Sequence, residues 1–136
     1  MGTTSQSQPG SGRGALITGA GYLLLLVLGG LQGMIGSFFY GNSPVPLVAI
    51  GFGVLIFITC LLAGWGLRTY GGGIVPALGW LAASFILAMP RAAGSVIITA
   101  TSAGEWYLYG GALAAGLGAV IALFAWGRPR ARARAR

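Results

Sequence analysis

The run from Gly14 to Leu67, GALITGAGYLLLLVLGGLQGMIGSFFYGNSPVPLVAIGFGVLIFITCLLAGWGL, decides the fold. It holds no arginine, lysine, histidine, aspartate or glutamate, and its only titratable side chains are Tyr22, Tyr40 and Cys60. A membrane-crossing helix needs about 20 mostly apolar residues, so the run is long enough for two. The cluster Gly41-Asn42-Ser43-Pro44-Val45-Pro46 divides it. Proline has no amide hydrogen to donate and clashes with the turn before it, so one helix must end there before another begins.

Outward from this run, Thr69 to Pro90 and Trp106 to Gly127 are two further stretches without arginine or acid. The reading is an all-α polytopic membrane protein, a bundle of four transmembrane helices. The spans are expected at about Ala15–Phe39, Leu47–Gly66, Ile74–Met89 and Trp106–Trp126. Residues 1–14 read as a polar, disordered cytoplasmic N-terminus, 15–127 as the membrane domain and 128–136 as a basic cytoplasmic tail. A β-barrel would also satisfy its backbone in lipid, but barrel strands alternate polar and apolar residues. Tyr22-Leu23-Leu24-Leu25-Leu26-Val27-Leu28 does not alternate.

Composition agrees. Of 136 residues, 56% are hydrophobic and 7% charged, against about 25% charged in a soluble domain. The first apolar stretch exceeds a signal-peptide core and no A-x-A-like site follows it, so it reads as a retained anchor. Gly2 suggests myristoylation, but Gln6 stands where that motif wants serine or threonine.

Charge sets the expected orientation. With both termini cytoplasmic, Arg13, Arg68, Arg128, Arg130, Arg132, Arg134 and Arg136 fall inside and only Arg91 outside. That is the asymmetry of the positive-inside rule, and the expected location is the plasma membrane. The five arginines of the tail would lie on the inner leaflet, each gaining about 1 kcal/mol from anionic lipid. The tail has no interleaved aromatics, so nucleic acid is not an expected partner. Aromatic rings prefer the headgroup level. Phe38, Phe39 and Tyr40 are expected at the outer interface with Trp106, Tyr107 and Tyr109, and Trp65, Tyr70 and Trp126 at the inner one.

The absent residues narrow the chemistry. There is no histidine, aspartate or lysine, and one glutamate, Glu105. A zinc site lacks its usual ligands, a serine nucleophile lacks a base, and carboxylates cannot pair. We therefore expect no enzyme, no cofactor and no catalytic, cofactor-binding or metal-binding residue. Proton-coupled carriers usually hold an acid or histidine within a span, whereas Glu105 is placed at an interface. Small four-helix multidrug exporters carry a glutamate in their first helix, and this first helix has none. Cys60, the single cysteine, reads as a small packing residue.

Glycine supplies the first candidate residues. Gly29, Gly33 and Gly36 follow one another on the first helix, and Gly110, Ala114, Gly118 and Ala122 stand at four-residue spacing on the fourth. A second row, Gly111, Ala115 and Ala119, runs beside that one. Small residues let helix backbones approach closely where lipid gives no hydrophobic drive. The rows serve either packing within the bundle or a face for a second copy or partner protein. Gln32 needs hydrogen-bond partners in hydrocarbon, so it should face the bundle as glue, or else line a pore. Between the third and fourth helices, Ser95 to Thr101 reads as extended or irregular backbone, flanked by Arg91 and Glu105. These two either form an outer-interface ion pair or stand apart in the headgroups.

The runs Gly79-Trp80-Leu81-Ala82-Ala83-Ser84-Phe85-Ile86-Leu87-Ala88-Met89-Pro90-Arg91 and Tyr107-Leu108-Tyr109-Gly110-Gly111 resemble stretches of an uncharacterised actinobacterial family of small four-span membrane proteins. The resemblance implies a fold and a membrane location, and no activity, cofactor or catalytic residue. The functional expectation is a non-enzymatic membrane protein that packs with itself or with another membrane component. The alternatives are a small oligomeric channel or facilitator around Gln32 and the outer loop, and a holin-like permeabilising protein.

Overall fold

The computed structural model describes residues 11–40, 46–92, 94, 97–98 and 101–126. These fold as four helices: α1 (Ser11–Phe39), α2 (Leu47–Leu67), α3 (Ile74–Ala88) and α4 (Ser102–Trp126). No strand occurs among the described residues. The protein is thus all-helical, and α1, α2 and α4 are each long and apolar enough to cross a membrane. At 15 residues, α3 is about 22 Å long, short of the roughly 30 Å hydrocarbon layer.

Two helices begin earlier than the sequence suggested. Helix α1 starts at Ser11 rather than Ala15, so part of the segment expected to be disordered is helical. Glycine costs a helix only about 1 kcal/mol, and nothing stronger breaks the chain between Ser11 and Ala15. Helix α4 starts at Ser102 rather than Trp106, because Thr101 caps it. The Thr101 side chain accepts a hydrogen bond from the Gly104 amide at 3.3 Å. One turn of α4, Trp106–Gly110, is π-helical. Such a turn inserts a residue into the spiral and rotates everything before it relative to everything after.

The closest packing joins helices that are not consecutive. Along α1 and α3 the contacts advance together: Gly29 meets Pro76, and Gly33 meets Trp80 and Ser84. Along α2 and α4, Gly53 lies beside Ala114, Gly118 beside Phe57 and Cys60, and Gly64 beside Ala122. Each pair is parallel. Between the pairs the helices run antiparallel: Tyr22 on α1 meets Thr69 just past α2, and Gln32 meets Thr59. The chain therefore runs up, down, up, down.

The distribution of side-chain sizes reverses that of a soluble domain. Gly29, Gly33, Gly36 and Ser37 of α1 are buried, while Leu23, Leu24, Leu31, Ile35 and Phe38 are exposed. In α4, Gly111, Ala115, Gly118 and Ala122 are buried, while Leu113, Leu117, Ile121 and Phe124 face out. Along these two faces backbones meet across glycine, and most of the large aliphatic groups point away from the protein. Hydrocarbon surroundings tolerate that arrangement and water does not.

Candidate functional site

The largest buried groups converge where α1, α3 and α4 meet. Tyr107 is 0% exposed and Trp80 1%. Their rings lie 5.4 Å apart, with Tyr40 stacked on Tyr107 at 5.7 Å and Phe52 edge-on at 6.5 Å. Glycine makes the room. Gly36 lies so close to the Tyr107 ring that a Cβ there would sit 2.7 Å from a ring carbon. Gly111 likewise leaves space for the indole of Trp80.

Polar atoms are threaded through this apolar knot. The Tyr107 hydroxyl donates to the Gly33 carbonyl at 2.7 Å, and Ser37 Oγ donates to the same oxygen at 2.6 Å. One helix carbonyl thus receives hydroxyls from its own helix and from α4. Ser84 and Trp80 of α3 also lie toward the Tyr107 hydroxyl. Ser84 Oγ and Trp80 Nε1 are nevertheless buried without a hydrogen bond. The Tyr40 hydroxyl donates to the Ile97 carbonyl at 3.3 Å. This draws the chain before α4 back onto the bundle, and Ile98 is buried beside it.

A second polar link joins α1 to α2. Gln32 Nε2 donates to Thr59 Oγ1 at 2.9 Å, and Thr59 Oγ1 donates to the Leu55 carbonyl at 2.8 Å. Gln32 Oε1 is buried without a partner. Gln32 therefore faces a neighbouring helix rather than lipid. Neither polar group contains a carboxylate, an imidazole or an amine, and no cluster of three or more histidine, cysteine, aspartate or glutamate side chains occurs among the described residues.

The residues singled out from sequence fall unevenly on this geometry. Gly29, Gly33 and Gly36 all lie in the α1 contact face. On α4, Gly118 and Ala122 of the first row and Gly111 and Ala115 of the second are buried in the seam, and at Gly118 a Cβ would stand 3.0 Å from Cys60 Cβ and 3.0 Å from the Phe57 carbonyl. Gly110 and Ala114 flank it, half-buried, and the seam runs through Gly111, Ala115, Gly118 and Ala122. The reason is geometric. A strict four-residue row turns about 40° per step around the helix, whereas alternating steps of four and three stay on one side. Arg91 and Glu105 are both exposed, and no ion pair joins them. The arginines at 128, 130, 132, 134 and 136 lie outside the described residues, as do most of residues 93–100 and the turn at 41–45.

Of the rings expected at the outer level, Phe38, Phe39, Trp106 and Tyr109 are exposed, whereas Tyr40 and Tyr107 turn inward and stack on each other. Trp80 and Ser84 were not singled out at all. Their signal was their spacing: four residues apart on α3, they share the face that meets Gly33.

The seam positions separate by mutation. Gly118→Leu should lower stability by about 1–3 kcal/mol, since its side chain enters the α2 backbone. Gly110→Ala should change it by less than about 0.5 kcal/mol, because a Cβ there meets only Trp106, at 3.7 Å. Thermal unfolding of the two purified variants in detergent checks the difference. Equal losses would mean that the seam does not pass through Gly118.

No protein-family model, curated protein or solved structure matches the chain.

Proposed function

We propose that this chain is a four-pass protein of the bacterial plasma membrane, with both termini cytoplasmic. It carries out no catalysis and works by packing with itself or with another membrane component. The observation that carries the reading is the reversed packing, with glycine, alanine and serine lining the helix contacts and most leucine, isoleucine and phenylalanine outside.

Three crossings rest on length and apolarity. The fourth, by α3, is supported by connectivity. Because α2 and α4 are parallel, the chain leaving α2 must return the full height of the bundle before α4 begins. Helix α3 makes that return, packed along α1 from Pro76 to Ser84. Its short length is offset by the turn before it and by Met89 and Pro90 after it. The resemblance of Gly79–Arg91 and Tyr107–Gly111 to the actinobacterial membrane family points to the same location. The absence of histidine, lysine and aspartate from the whole sequence supports a non-catalytic role.

Reporter fusions test the topology. A cytoplasm-active reporter should work after Arg136, and an exterior-active one at Asn42 and at Gly104. An exterior-active fusion after Arg136 would overturn the orientation, and discordant signals at Asn42 and Gly104 would remove the crossing by α3. Oligomer size in detergent, measured with ion and solute flux through liposomes, tests the role. Flux above that of empty liposomes would replace the packing reading with a channel.

A further inference from the structure

An open apolar groove runs between α1 and α2 at the end of the bundle that carries Arg68. Leu24, Leu25 and Leu28 wall it on one side, Leu62 and Leu67 on the other, and its volume is about 460 Å³. Gly66 borders it with open space where a Cβ would stand. The hydrogen-bonded pair Tyr22 and Thr69 lies just beyond Leu67 at the same end.

Arg68 follows Leu67 directly. It is exposed, and it is the only described non-glycine residue with positive φ, at 48°. Its amide donates to the Gly64 carbonyl and ends α2. That position ordinarily belongs to glycine, because a side chain in the left-handed region is strained. An arginine held there despite the strain suggests a use for its charge. Among the described residues no carboxylate is near: the one acidic side chain, Glu105, opens α4 at the opposite end of the bundle.

We propose that this groove and Arg68 form a binding site for one anionic phospholipid, with an acyl chain along the groove and the phosphate against the guanidinium. Charge selects this occupant over a second copy of the protein. A parallel copy would bring its own Arg13 and Arg68 to this end, placing like charges together, whereas an anionic headgroup supplies an opposite charge. The site rests on the membrane reading, and the two fail differently. A chain recovered in the soluble fraction defeats the membrane reading, while a membrane-extracted chain without lipid selectivity defeats only the site.

Native mass spectrometry of the full chain, with the tail arginines changed to glutamine, reads the site directly. Phosphatidylglycerol and phosphatidylcholine of identical chains are the probes. The expected result is phosphatidylglycerol retained over phosphatidylcholine by roughly five-fold. Arg68→Gln should abolish that preference. Arg68→Gly should abolish it too, yet raise the thermal midpoint, because glycine relieves the left-handed backbone. Gly66→Leu should reduce retention of both lipids, and Gly116→Leu, which also meets open space, should leave both unchanged. Equal retention of the two lipids, a preference that survives Arg68→Gln, or equal effects of Gly66→Leu and Gly116→Leu would each overturn the proposal. So would displacement of bound lipid by glycerol phosphate alone, or a changed oligomer without a change in lipid retention in Gly66→Leu.

Discussion

Gly29→Leu should prevent the bundle from forming, while Gly51→Leu and Gly116→Leu should be nearly silent. All three replace a helical glycine with the same side chain, so helix propensity and lipid affinity shift alike. They differ in what the new Cβ meets. At Gly29 it would fall on the carbonyl, carbonyl carbon and Cα of Pro76, backbone atoms of α3. Gly79 answers from the other side, with its own missing Cβ directed at the Leu26 carbonyl. The α1–α3 contact is thus backbone against backbone, and no rotamer change can make room. Overpacking typically costs about 1–3 kcal/mol, occasionally more, and Gly29→Leu should lie at or beyond the top of that range. At Gly51 and Gly116 a Cβ meets nothing within 4 Å, so an effect within about 0.5 kcal/mol is expected. The measurement is the monodisperse yield and thermal midpoint of each variant in one detergent. A Gly29→Leu protein that unfolds like the parent would mean that α1 does not pack on α3 through this face.

The contrast between these glycines marks the limit of sequence reading. Charge-free runs and prolines gave helix number and near-correct ends, because hydrocarbon length and backbone satisfaction are one-dimensional constraints. The glycine row of α1 was legible since its spacing of four and then three keeps to one side of a helix. On α4 the seam draws Gly118 and Ala122 from one small-residue row and Gly111 and Ala115 from the row beside it, because neither row alternates steps of four and three. The π turn at Trp106–Gly110 leaves no mark in composition, yet it sets the phase of the tyrosines before the seam. The pairing of α1 with α3 and of α2 with α4 was not legible at all. All four helices are apolar around their circumference, so no polar face indicates which neighbour is which.

Tyr107 separates shape from polarity in the core. Tyr107→Ala should cost about 3–5 kcal/mol, as large-to-small changes of buried aromatics do. The ring is in contact with Trp80, Tyr40 and Phe52, and glycines at 36 and 111 leave no side chain able to swing into the space. Tyr107→Phe keeps the ring and removes only the hydroxyl. The Gly33 carbonyl then still receives the hydroxyl of Ser37, so no acceptor is orphaned, and the loss should be about 0.5–1.5 kcal/mol, the net worth of one hydrogen bond. A third variant, Ser37→Ala, removes the other donor and should cost a similar small amount alone. Combined with Tyr107→Phe it leaves the carbonyl without either hydroxyl, so the double variant should lose more than the sum of the two. Thermal unfolding of the parent and these four variants in detergent closes the cycle. If Tyr107→Phe proves as damaging as Tyr107→Ala, the hydroxyl rather than the ring holds α4 against α1. A strictly additive double variant would mean that the two hydroxyls do not share the Gly33 oxygen.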